Sequence, residues 1–301
     1  MQIYAMSDFH VEKEINRLWI ETLSSTDFTN DVIIVAGDIS DNLNRVKTTL
    51  SVLRSKFGEL FFVPGNHELW IRKNQFDDSI KKFHKIQETC KTIGVKIGPQ
   101  KIGIGDQSPV WILPLQSWYV KPEESYSSLF IPRPGDDPLL QMWNDNYFIK
   151  WPSFNGYAHA ADYFLNLNKK YIGHKYDAPV ISFSHFLPRR DLIFPTEEEL
   201  KIYRKSNEHS VFNFTRVAGC SGLESQIRVL QSIIHIYGHQ HRNRIRQFEG
   251  IWYVSHCLGY PGERERKLVN NVEQGPLLVW DTNFGFNASL EKMQDIPVIP
   301  H

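Results

Sequence analysis

The sequence predicts a layered α/β protein in which strands and helices alternate along the chain. Short runs rich in Val, Ile, Phe and Tyr recur through the 301 residues, and such runs are typical of buried strands. Between them lie segments whose apolar residues recur at spacings of three and four, which is one face of a helix. Neither a repeat of fixed period nor a low-complexity tract interrupts the alternation.

Eight runs are predicted as strands. They are residues 2–6, 32–36, 60–63, 110–113, 179–183, 233–237, 251–254 and 277–281. A helix is predicted after the second strand, because five apolar residues there share one helical face. These residues are Leu43, Val46, Leu50, Leu53 and Phe57.

Two further helices are predicted in the second half of the chain. Helical spacing marks residues 157–171. The stretch "SGLESQIRVL" begins with Ser221 and Glu224 in the spacing of a capping box, which indicates a helix start. Its apolar face is formed by Leu223, Ile227 and Leu230.

Residues 116 to 157 break the alternation. The stretch contains prolines at positions 122, 132, 134, 138 and 152, together with Trp118, Trp143 and Trp151. A structureless loop of this length is unusual unless it is functional. We interpret it as an insertion or flap on a single domain of residues 1–301. The aromatic residues between 111 and 157 either pack within the flap or stack on a base or sugar, and packing is the preferred interpretation.

The composition is that of an ordinary soluble globular protein, with 41% apolar and 23% charged residues. Lys plus Arg equals Asp plus Glu at 34 each, so no global charge favours nucleic acid or an anionic membrane. The basic runs "HRNRIR" (241–246) and "RERK" (264–267) are interpreted as solvated faces. No apolar run approaches the ~20 residues that cross a bilayer, and "MQIYAMSDFH" lacks the features of a signal peptide.

Cysteine usage predicts the compartment. Cys90, Cys220 and Cys257 are widely spaced, and no CxxC pair is present, so neither a zinc ribbon nor a disulfide framework is indicated. Reduced thiols in the cytoplasm fit this pattern best.

Five predicted strands end beside side chains that can bind metal ions. These residues are Asp8 and His10 in "SDFH", Asp38 and Asp41 in "GDISD", Asn66, His67 and Glu68 in "GNHE", His185 in "SH", and His239 and His241 in "GHQH". Each segment alone is more often a simple turn or a locally satisfied histidine than a metal site. Together they predict one site, because ligands bind at the carboxyl ends of strands in open α/β sheets.

The residue types also predict which ions bind. Asp, Asn and His together suit divalent ions such as manganese, iron, zinc or cobalt. Glycines at positions 37, 65 and 238 let the backbone turn sharply and leave space beside the ions. Two such ions can bridge a water, lower its pKa and bind a phosphoryl group.

The order D-x-H, GD-x-x-D, GNHE, H and GH-x-H resembles the calcineurin-like metallophosphoesterases, with the motifs spread from Asp8 to His241. The resemblance implies a four-layer α/β/β/α sandwich of two mixed sheets with a dinuclear metal centre between strand ends. It implies Mn²⁺ as the preferred ion, with Fe, Zn, Co or Ni as alternatives. A hydroxide that bridges the two ions would be the nucleophile.

The resemblance also implies a role for each motif residue. The first metal would be held by Asp8, His10 and His241. The second would be held by Asn66, His185 and His239. Asp38 would bridge both ions. His67 would donate a proton or hydrogen bond to the leaving group, and Asp41 would orient His67.

Departures from particular branches of the family narrow the activity. Asn42 and Pro64 stand where the protein Ser/Thr phosphatases carry arginines, which argues against protein phosphatase activity. Asp41 stands where purple acid phosphatases have a tyrosine ligand, so a coloured ferric centre is not expected. With His67 and Glu68 both present, monoesters and diesters remain open as substrates.

Arginines and the remaining histidines are the other candidates for the site. Arg189 and Arg190 follow His185 and would bind a substrate phosphate bidentately, or are surface charges on a loop. His256 is predicted nearer to the cleft than the histidines that match no motif. Those histidines, which are predicted to be satisfied locally, are His84, His159, His174, His209, His235 and His301.

The function predicted is metal-dependent hydrolysis of a phosphoester in a small or nucleotide-like substrate. A nuclease of the same chemistry is the first alternative, but it would need a basic track along its strand. A non-catalytic scaffold is the second, and scaffolds tend to lose ligands that this chain retains. The expected partner is therefore a small phosphorylated molecule, with no membrane and no nucleic acid.

Overall fold

The computed structural model describes residues 1–72, 75–103, 108–137, 139–154, 156–206 and 212–298. Pro138 of the predicted insertion, His209 and His301 lie outside these residues. The described strands are β1 Gln2–Met6, β2 Val32–Ala36, β3 Glu59–Val63, β4 Gln100–Ile102, β5 Val110–Pro114, β6 Val180–Phe183, β7 Ser232–Tyr237, β8 Arg244–Phe248, β9 Ile251–Ser255, β10 Leu277–Asp281 and β11 Gly285–Phe286.

Helices alternate with these strands for most of the chain. The α-helices are α1 Glu14–Thr22, α2 Leu43–Lys56, α3 Asn66–Leu69, α4 Ser79–Thr92, α5 Asp145–Phe148, α6 Ala160–Ile172, α7 Glu197–Ser206, α8 Ser221–Val229, α9 Pro261–Glu265 and α10 Ser289–Lys292. Short 3₁₀ helices span Arg190–Leu192, Phe214–Arg216 and Val272–Gln274.

The strands form two mixed sheets. The first has the order β11-β10-β1-β2-β3, in which β1, β2 and β3 are parallel, β10 is antiparallel to β1, and β11 is antiparallel to β10. The second has the order β4-β5-β6-β7-β9-β8, with antiparallel edge strands β4 and β8. Parallel strands point their carboxyl ends the same way, so the motif residues of each sheet are brought to one edge.

The two sheets pack face to face and are flanked by helices. In β2, "VIIVA" is buried throughout, because Val32 and Ile34 face the other sheet while Ile33 and Val35 face the helical layer. Fully buried parallel strands read as continuous apolar runs for this reason. The α/β/β/α sandwich implied by the sequence is therefore confirmed.

The helical face predicted from Leu43 to Phe57 is present in α2. Val46, Leu50 and Leu53 are buried against the core, and Phe57 is the buried C-cap residue. The residue that begins the helix is Asn42, whose side chain accepts hydrogen bonds from the backbone N–H groups of two residues in the first turn. This cap satisfies donors that have no partner within the helix.

The basic run at 241–246 is not a solvated face, contrary to the sequence interpretation. The end of this run forms the start of β8, and the side chains of Arg244 and Arg246 in that strand are only 3% and 1% exposed. Arg244 donates to both carboxylate oxygens of Glu199, at 2.8 and 2.7 Å, and Arg246 pairs with Asp295. Charged residues at buried positions hide the alternation of apolar and polar residues that identifies a strand. The free-energy cost of burying each guanidinium group is offset because the group is paired with a carboxylate.

The capping box predicted at Ser221 is also wrong. Cys220 is the N-cap of α8, and Ser221 is its first helical residue. The Glu224 carboxylate accepts hydrogen bonds from Tyr253 and Arg228, both at 2.7 Å, instead of turning back to the helix start. Tertiary partners compete successfully with a local cap that contributes about 1 kcal/mol.

The stretch from 116 to 157 connects β5 to α6, which begins at Ala160. Trp118 is 2% exposed and contacts Trp151, Phe164 and Phe186 with ring-centroid distances of 4.9, 5.9 and 4.8 Å. These contacts confirm the packing interpretation for Trp118 and Trp151.

The cysteines and helices bear on two further sequence predictions. Cys90, Cys220 and Cys257 are buried free thiols. Among the described residues, no helix is both long and apolar enough to cross a bilayer.

Candidate metal centre

The motif residues from both sheets converge at the carboxyl ends of β1, β2, β3, β6 and β7. Two groups of potential ligands share Asp38, and within each group the ligand atoms lie within 4.8 Å of one another. The groups are Asp8, His10, Asp38 and His241, and Asp38, His185 and His239. Asn66 adjoins the second group through its side-chain oxygen.

The spacing of the ligand atoms fits two metal sites. In the first group, His241 Nε2 lies 2.9 Å from His10 Nε2 and 3.3 Å from Asp8 Oδ1. Metal ligands at about 2.0–2.2 Å from an ion are roughly 3 Å apart when they subtend a right angle. Two imidazole nitrogens that face each other at this distance could therefore serve as neighbouring ligands of one ion.

The second group has the same spacing. His185 Nε2 lies 3.2 Å from Asn66 Oδ1, 3.2 Å from His239 Nδ1 and 3.4 Å from Asp38 Oδ2. The mixed oxygen and nitrogen donors suit borderline divalent ions. The side chains that the resemblance assigns to each metal are thus brought together in the two expected sets.

Hydrogen bonds on the outer ring nitrogens fix the histidine tautomers. His185 Nδ1 donates to the carbonyl of Ala36 at 2.8 Å, and His239 Nε2 donates to the carbonyl of Val217 at 3.0 Å. A carbonyl oxygen can only accept, so the inner nitrogen of each neutral ring keeps the lone pair that a metal requires. Each ring, when neutral, could therefore bind a metal ion through its inner nitrogen.

Asp38 is ionised at neutral pH. Burial alone would raise the pKa of its carboxyl, but His185, His67 and His10 outweigh this effect and hold the pKa well below the usual value. In return, the carboxylates of Asp38 and Asp8 overcome the effect of burial and raise the pKa of His185 to about 9. A buried carboxylate between the two groups can bind a cation on each side, as a bridging ligand must.

Several ligand residues have an unusual backbone conformation. The φ angles of Asp8, His10, Asp38, His239 and His241 are 51°, 44°, 57°, 71° and 53°. Such left-handed conformations cost roughly 1–3 kcal/mol each and persist only where surrounding contacts enforce them. The bonds Asp8 N–H to Gly37 O (2.9 Å) and His239 N–H to Asp8 Oδ1 (3.0 Å) supply such contacts.

The three glycines predicted to leave space beside the ions do so. A Cβ at Gly37 would lie 2.6 Å from His185 Nδ1, and one at Gly238 would lie 2.7 Å from Asp8 Oδ2. A Cβ at Gly65 would overlap the Asp38 carboxylate. Gly37 also has a φ of 83°, which a side chain would strain.

The comparison with known proteins agrees with this geometry. Residues 1–254 match the family model described as calcineurin-like phosphoesterase. The chain belongs to this family. The protein is accordingly a phosphoric ester hydrolase, from a family that uses divalent metals. The scaffold alternative is thereby set aside.

One relative, PptH of Mycobacterium tuberculosis, is similar to this phosphoesterase in both sequence and fold. The chain is 24% identical over 291 residues to "[Acyl-carrier-protein] phosphodiesterase PptH" of Mycobacterium tuberculosis, covering 88% of this chain and 80% of the relative. Its fold is similar to the crystal structure of phosphopantetheinyl hydrolase (PptH) from Mycobacterium tuberculosis, with a TM-score of 0.67 and 19% identity. That match covers 92% of this chain and 95% of the other.

His67 lies near the Asp38 carboxylate but belongs to neither of the two ligand groups that share Asp38. Its Nε2 is 3.8 Å from Asp38 Oδ2, and its ring stacks on Trp70 at a centroid distance of 3.7 Å. The side chain remains 13% exposed, towards a cleft. Burial, with His10 and His241 nearby, lowers the pKa of His67 to about 3 despite the Asp38 carboxylate.

The hydrogen bond predicted between Asp41 and His67 is not formed. In the described part of the chain, the Asp41 carboxylate accepts a hydrogen bond from Arg72 Nε instead. Arg72 in turn lies over Trp70 and Phe148. The His67 ring stacks on Trp70 and contacts the His10 ring at a centroid distance of 4.7 Å, so ring contacts replace the expected contact with the Asp41 carboxylate.

Arg189 and Arg190 do not point into the centre, as the sequence had suggested for substrate binding. Arg189 pairs with Asp191 at 2.7 Å and with Glu224 at 3.4 Å. Arg190 donates to the carbonyl oxygen of Ser128 at 3.0 Å. Both guanidinium groups support the fold, so these contacts do not support a role in binding phosphate.

The histidines outside the motifs have local roles. Both ring nitrogens of buried His235 bond serine hydroxyls, those of Ser182 (2.9 Å) and Ser184 (3.0 Å), which confirms the core interpretation. His256 Nε2 donates to the carbonyl of Gly275 at 3.0 Å, and this buried residue lines a different pocket and not the cleft beside His67. Of the others, His159 bonds Ser125, while His84 and His174 are exposed.

A cleft of about 560 Å³ leads from solvent to the centre. Its lining includes Lys13, Arg45, His67, Trp70, Arg72 and Tyr260. Tyr260 stacks on the His10 ring at a centroid distance of 4.3 Å and so covers one face of that imidazole. The sequence pattern did not indicate Tyr260, because it lies far from the motifs and after the last of them.

The sequence did not indicate the roles of two acidic residues that support this site, Glu263 and Glu68. Glu263 Oε2 accepts a hydrogen bond from His241 Nδ1 at 2.8 Å. Glu68 of the "GNHE" motif accepts four backbone N–H bonds, from residues 38, 39, 40 and 65, at 2.7–2.9 Å. Glu68 therefore fastens the loop after β2 to the loop after β3, each of which carries ligands.

We expect Glu68→Gln to lower the free energy of unfolding of the metal-free protein by about 2–3 kcal/mol. The amide presents an NH₂ group to two of the four N–H donors, and each buried donor left without an acceptor costs ~1–3 kcal/mol. Urea unfolding followed by circular dichroism measures the change. Glu88→Gln, an exposed acid on α4, is the matched control, and equal unfolding of the two variants would contradict this role.

Proposed function

We propose that the protein is a phosphodiesterase, dependent on two divalent ions with Mn²⁺ preferred, that releases phosphopantetheine from a carrier protein. The observation that carries the metal-dependent chemistry is the convergence of two ligand sets on a shared, ionised Asp38. The substrate class is supported by 24% identity to the acyl-carrier-protein phosphodiesterase over 88% of this chain.

Seven residues would hold the ions. Asp8, His10 and His241 form one set, Asn66, His185 and His239 form the other, and Asp38 is common to both. When bound, two such ions supply an activated water at neutral pH and neutralise charge on the phosphoryl oxygens. The histidine tautomers and the ionised carboxylates orient the side chains for this role, and His185, whose pKa is raised to about 9, would release its proton as an ion binds.

His67 is suited to assist the leaving group. It lies beside the shared carboxylate, faces the cleft and is not among the closest ligand atoms of either set. A diester of an alkyl hydroxyl releases a poor leaving group, which needs a proton as the bond to phosphorus breaks. The substrate phosphate brings negative charge near His67, which favours the protonated ring that such a step requires.

The cleft is suited to a protein substrate with an extended prosthetic arm. It is open to solvent, and exposed cationic side chains of Lys13 and Arg45 stand on its rim. Neither side chain forms an ion pair with a described residue. An acidic surface on a carrier protein would complement this rim, and the arm would reach the centre through the cleft.

The decisive experiment offers the Mn²⁺-loaded protein a phosphopantetheinylated carrier protein. Mass spectrometry should show a carrier that has lost the phosphopantetheinyl group, with free phosphopantetheine as the second product. Nitrophenyl phosphate, cyclic nucleotides and single-stranded DNA are assayed in parallel. Cleavage of DNA or of monoesters, with an unchanged carrier protein, would reassign the enzyme as a nuclease or a monoesterase.

Charge on the rim provides a second arm of this experiment. Arg45→Ala should raise KM for the carrier protein about fivefold, the equivalent of ~1 kcal/mol for an exposed ion pair, and leave KM for a small diester unchanged. Lys47→Ala is the matched control, because Lys47 is exposed on the same helix but does not line the cleft. An equal effect of both variants would argue against rim recognition.

A further inference from the structure

Asp145 links the segment between β5 and α6 to the metal centre. It is the first residue of the short helix α5 and is only 2% exposed. Its carboxylate accepts hydrogen bonds from three side chains, those of Asn66, Trp70 and Tyr119. None of these donors is a cation, so the carboxylate is held by directed N–H and O–H bonds and not by an ion pair.

The first of these bonds decides which end of the Asn66 amide faces the metal site. Asn66 Nδ2 donates to Asp145 Oδ1 at 2.9 Å. The amide oxygen is thereby turned towards the second ligand set, 3.2 Å from His185 Nε2. With the amide reversed, its oxygen would face the Asp145 carboxylate and its NH₂ group the site, which neither a carboxylate nor a cation tolerates.

The second bond fixes the Trp70 indole, which stacks against His67. Trp70 Nε1 donates to the same Oδ1 atom of Asp145 at 2.6 Å. The indole so held stacks on the His67 ring with an interplanar angle of 29°. One oxygen atom therefore orients both an expected metal ligand and the support of the expected proton donor.

The third bond connects this carboxylate to the rest of the segment. Tyr119 Oη donates to Asp145 Oδ2 at 3.1 Å, and Trp143 Nε1 donates to Tyr119 Oη at 3.1 Å. The Trp143 ring meets the edge of the His239 ring at a centroid distance of 5.8 Å. The segment thus contacts the second ligand set at two of its members, Asn66 and His239.

We propose that Asp145 is a positioning residue that sets the orientation of the Asn66 amide and the Trp70 indole, so that the segment between β5 and α6 controls the second metal site. This inference rests on the proposed dinuclear centre. A carboxylate whose only role was to anchor α5 would not need a hydrogen bond to Asn66. It would also not need a single oxygen atom that accepts from both Asn66 and Trp70. The first ligand set has no bond to Asp145 and should be unaffected.

The test is Asp145→Asn, with binding of Mn²⁺ measured by calorimetry. We expect one of the two sites to lose roughly 10- to 100-fold in affinity, as is typical when a partner of a metal ligand is removed, while the other site is unchanged. Glu124→Gln, an exposed acid-to-amide change in the same segment, is the matched control. Unchanged affinity at both sites in Asp145→Asn would overturn the proposal.

A readout that needs no metal separates this inference from the proposed function. In ¹⁵N–¹H spectra of the metal-free protein, the Trp70 indole signal, assigned with Trp70→Phe, should move upfield in Asp145→Asn because a charge-assisted bond is lost. It should not move in Glu124→Gln. If wild-type protein binds fewer than two ions, the dinuclear centre fails. The indole signal still tests the geometry in that case, and an unmoved signal overturns the inference.

Exchanging the side chains of Asn66 and Asp145 distinguishes loss of their hydrogen bond from a variant that simply fails to fold. The double variant Asn66→Asp, Asp145→Asn restores an amide–carboxylate bond with the donor on the opposite side. It supplies a carboxylate oxygen to the second site, so we expect binding of the second ion to return to within about tenfold of wild type. A double variant no better than Asp145→Asn in this measurement would contradict the proposal.

Discussion

Asp38→Asn should remove paired metal binding and hydrolysis together. Asp38 belongs to both ligand groups, is 2% exposed, and carries a negative charge that three histidines stabilise. An amide has the same shape but no charge, so both sites lose their common anion. We expect fewer than two ions per chain by elemental analysis after Mn²⁺ loading and dialysis. Turnover should fall on the order of 10³-fold or more, the upper end for the loss of one electrostatic group.

Asp177→Asn is the matched control for this change. Asp177 pairs with Lys101 at 2.7 Å before β6 begins, at the opposite end of that strand from His185. It should retain both ions and full activity. Two ions bound to Asp38→Asn at wild-type affinity would mean that the two sets do not share this carboxylate.

His67→Ala should leave both ions bound and slow the reaction by ~10²–10⁴-fold for a substrate with an alkyl leaving group. The alanine removes a proton donor from the cleft but no atom from either ligand set. The loss should shrink for a nitrophenyl ester, whose leaving group barely needs a proton. Comparing kcat for the two esters at equal metal occupancy measures this difference.

The outcome for His67 also tests how Asp41 acts. Asp41 bonds Arg72 and does not bond His67, so the effects of Asp41→Asn and His67→Ala should add in the double variant. Losses that do not add would show a functional unit, as the motif alone suggests. Release of metal from His67→Ala would reassign His67 as a ligand, and equal losses for both esters would exclude proton donation.

The ligand segments were predictable because each is a local pattern. An apolar strand followed directly by Asp, Asn or His can be recognised within about ten residues, and parallel pairing then brings the ends together. Strands such as β2 are buried on both faces, which leaves a continuous apolar run in the sequence. The order of these segments is the feature that resembles the family, and the family in turn implies the fold and the expected ligand sets.

Predictions failed where the outcome depended on a partner far along the chain. Arg246 is buried because Asp295 meets it, and Glu224 leaves the helix start because Tyr253 bonds it. Asp41 is held by Arg72 although the motif suggests His67. For Glu224, a local cap worth about 1 kcal/mol competes with tertiary contacts of similar or greater strength.

The sequence by itself determined the type of centre: which side chains are supplied, on which strand ends, and for what kind of ion. Only the tertiary structure decided their orientation. Asp8, Asp38 and His239 have left-handed backbones that no propensity would predict. The carboxylate that turns the Asn66 amide lies 79 residues away in a segment with no motif. Ligand identity is a property of single residues, whereas ligand geometry depends on strain and hydrogen bonds that exist only once distant segments have packed together.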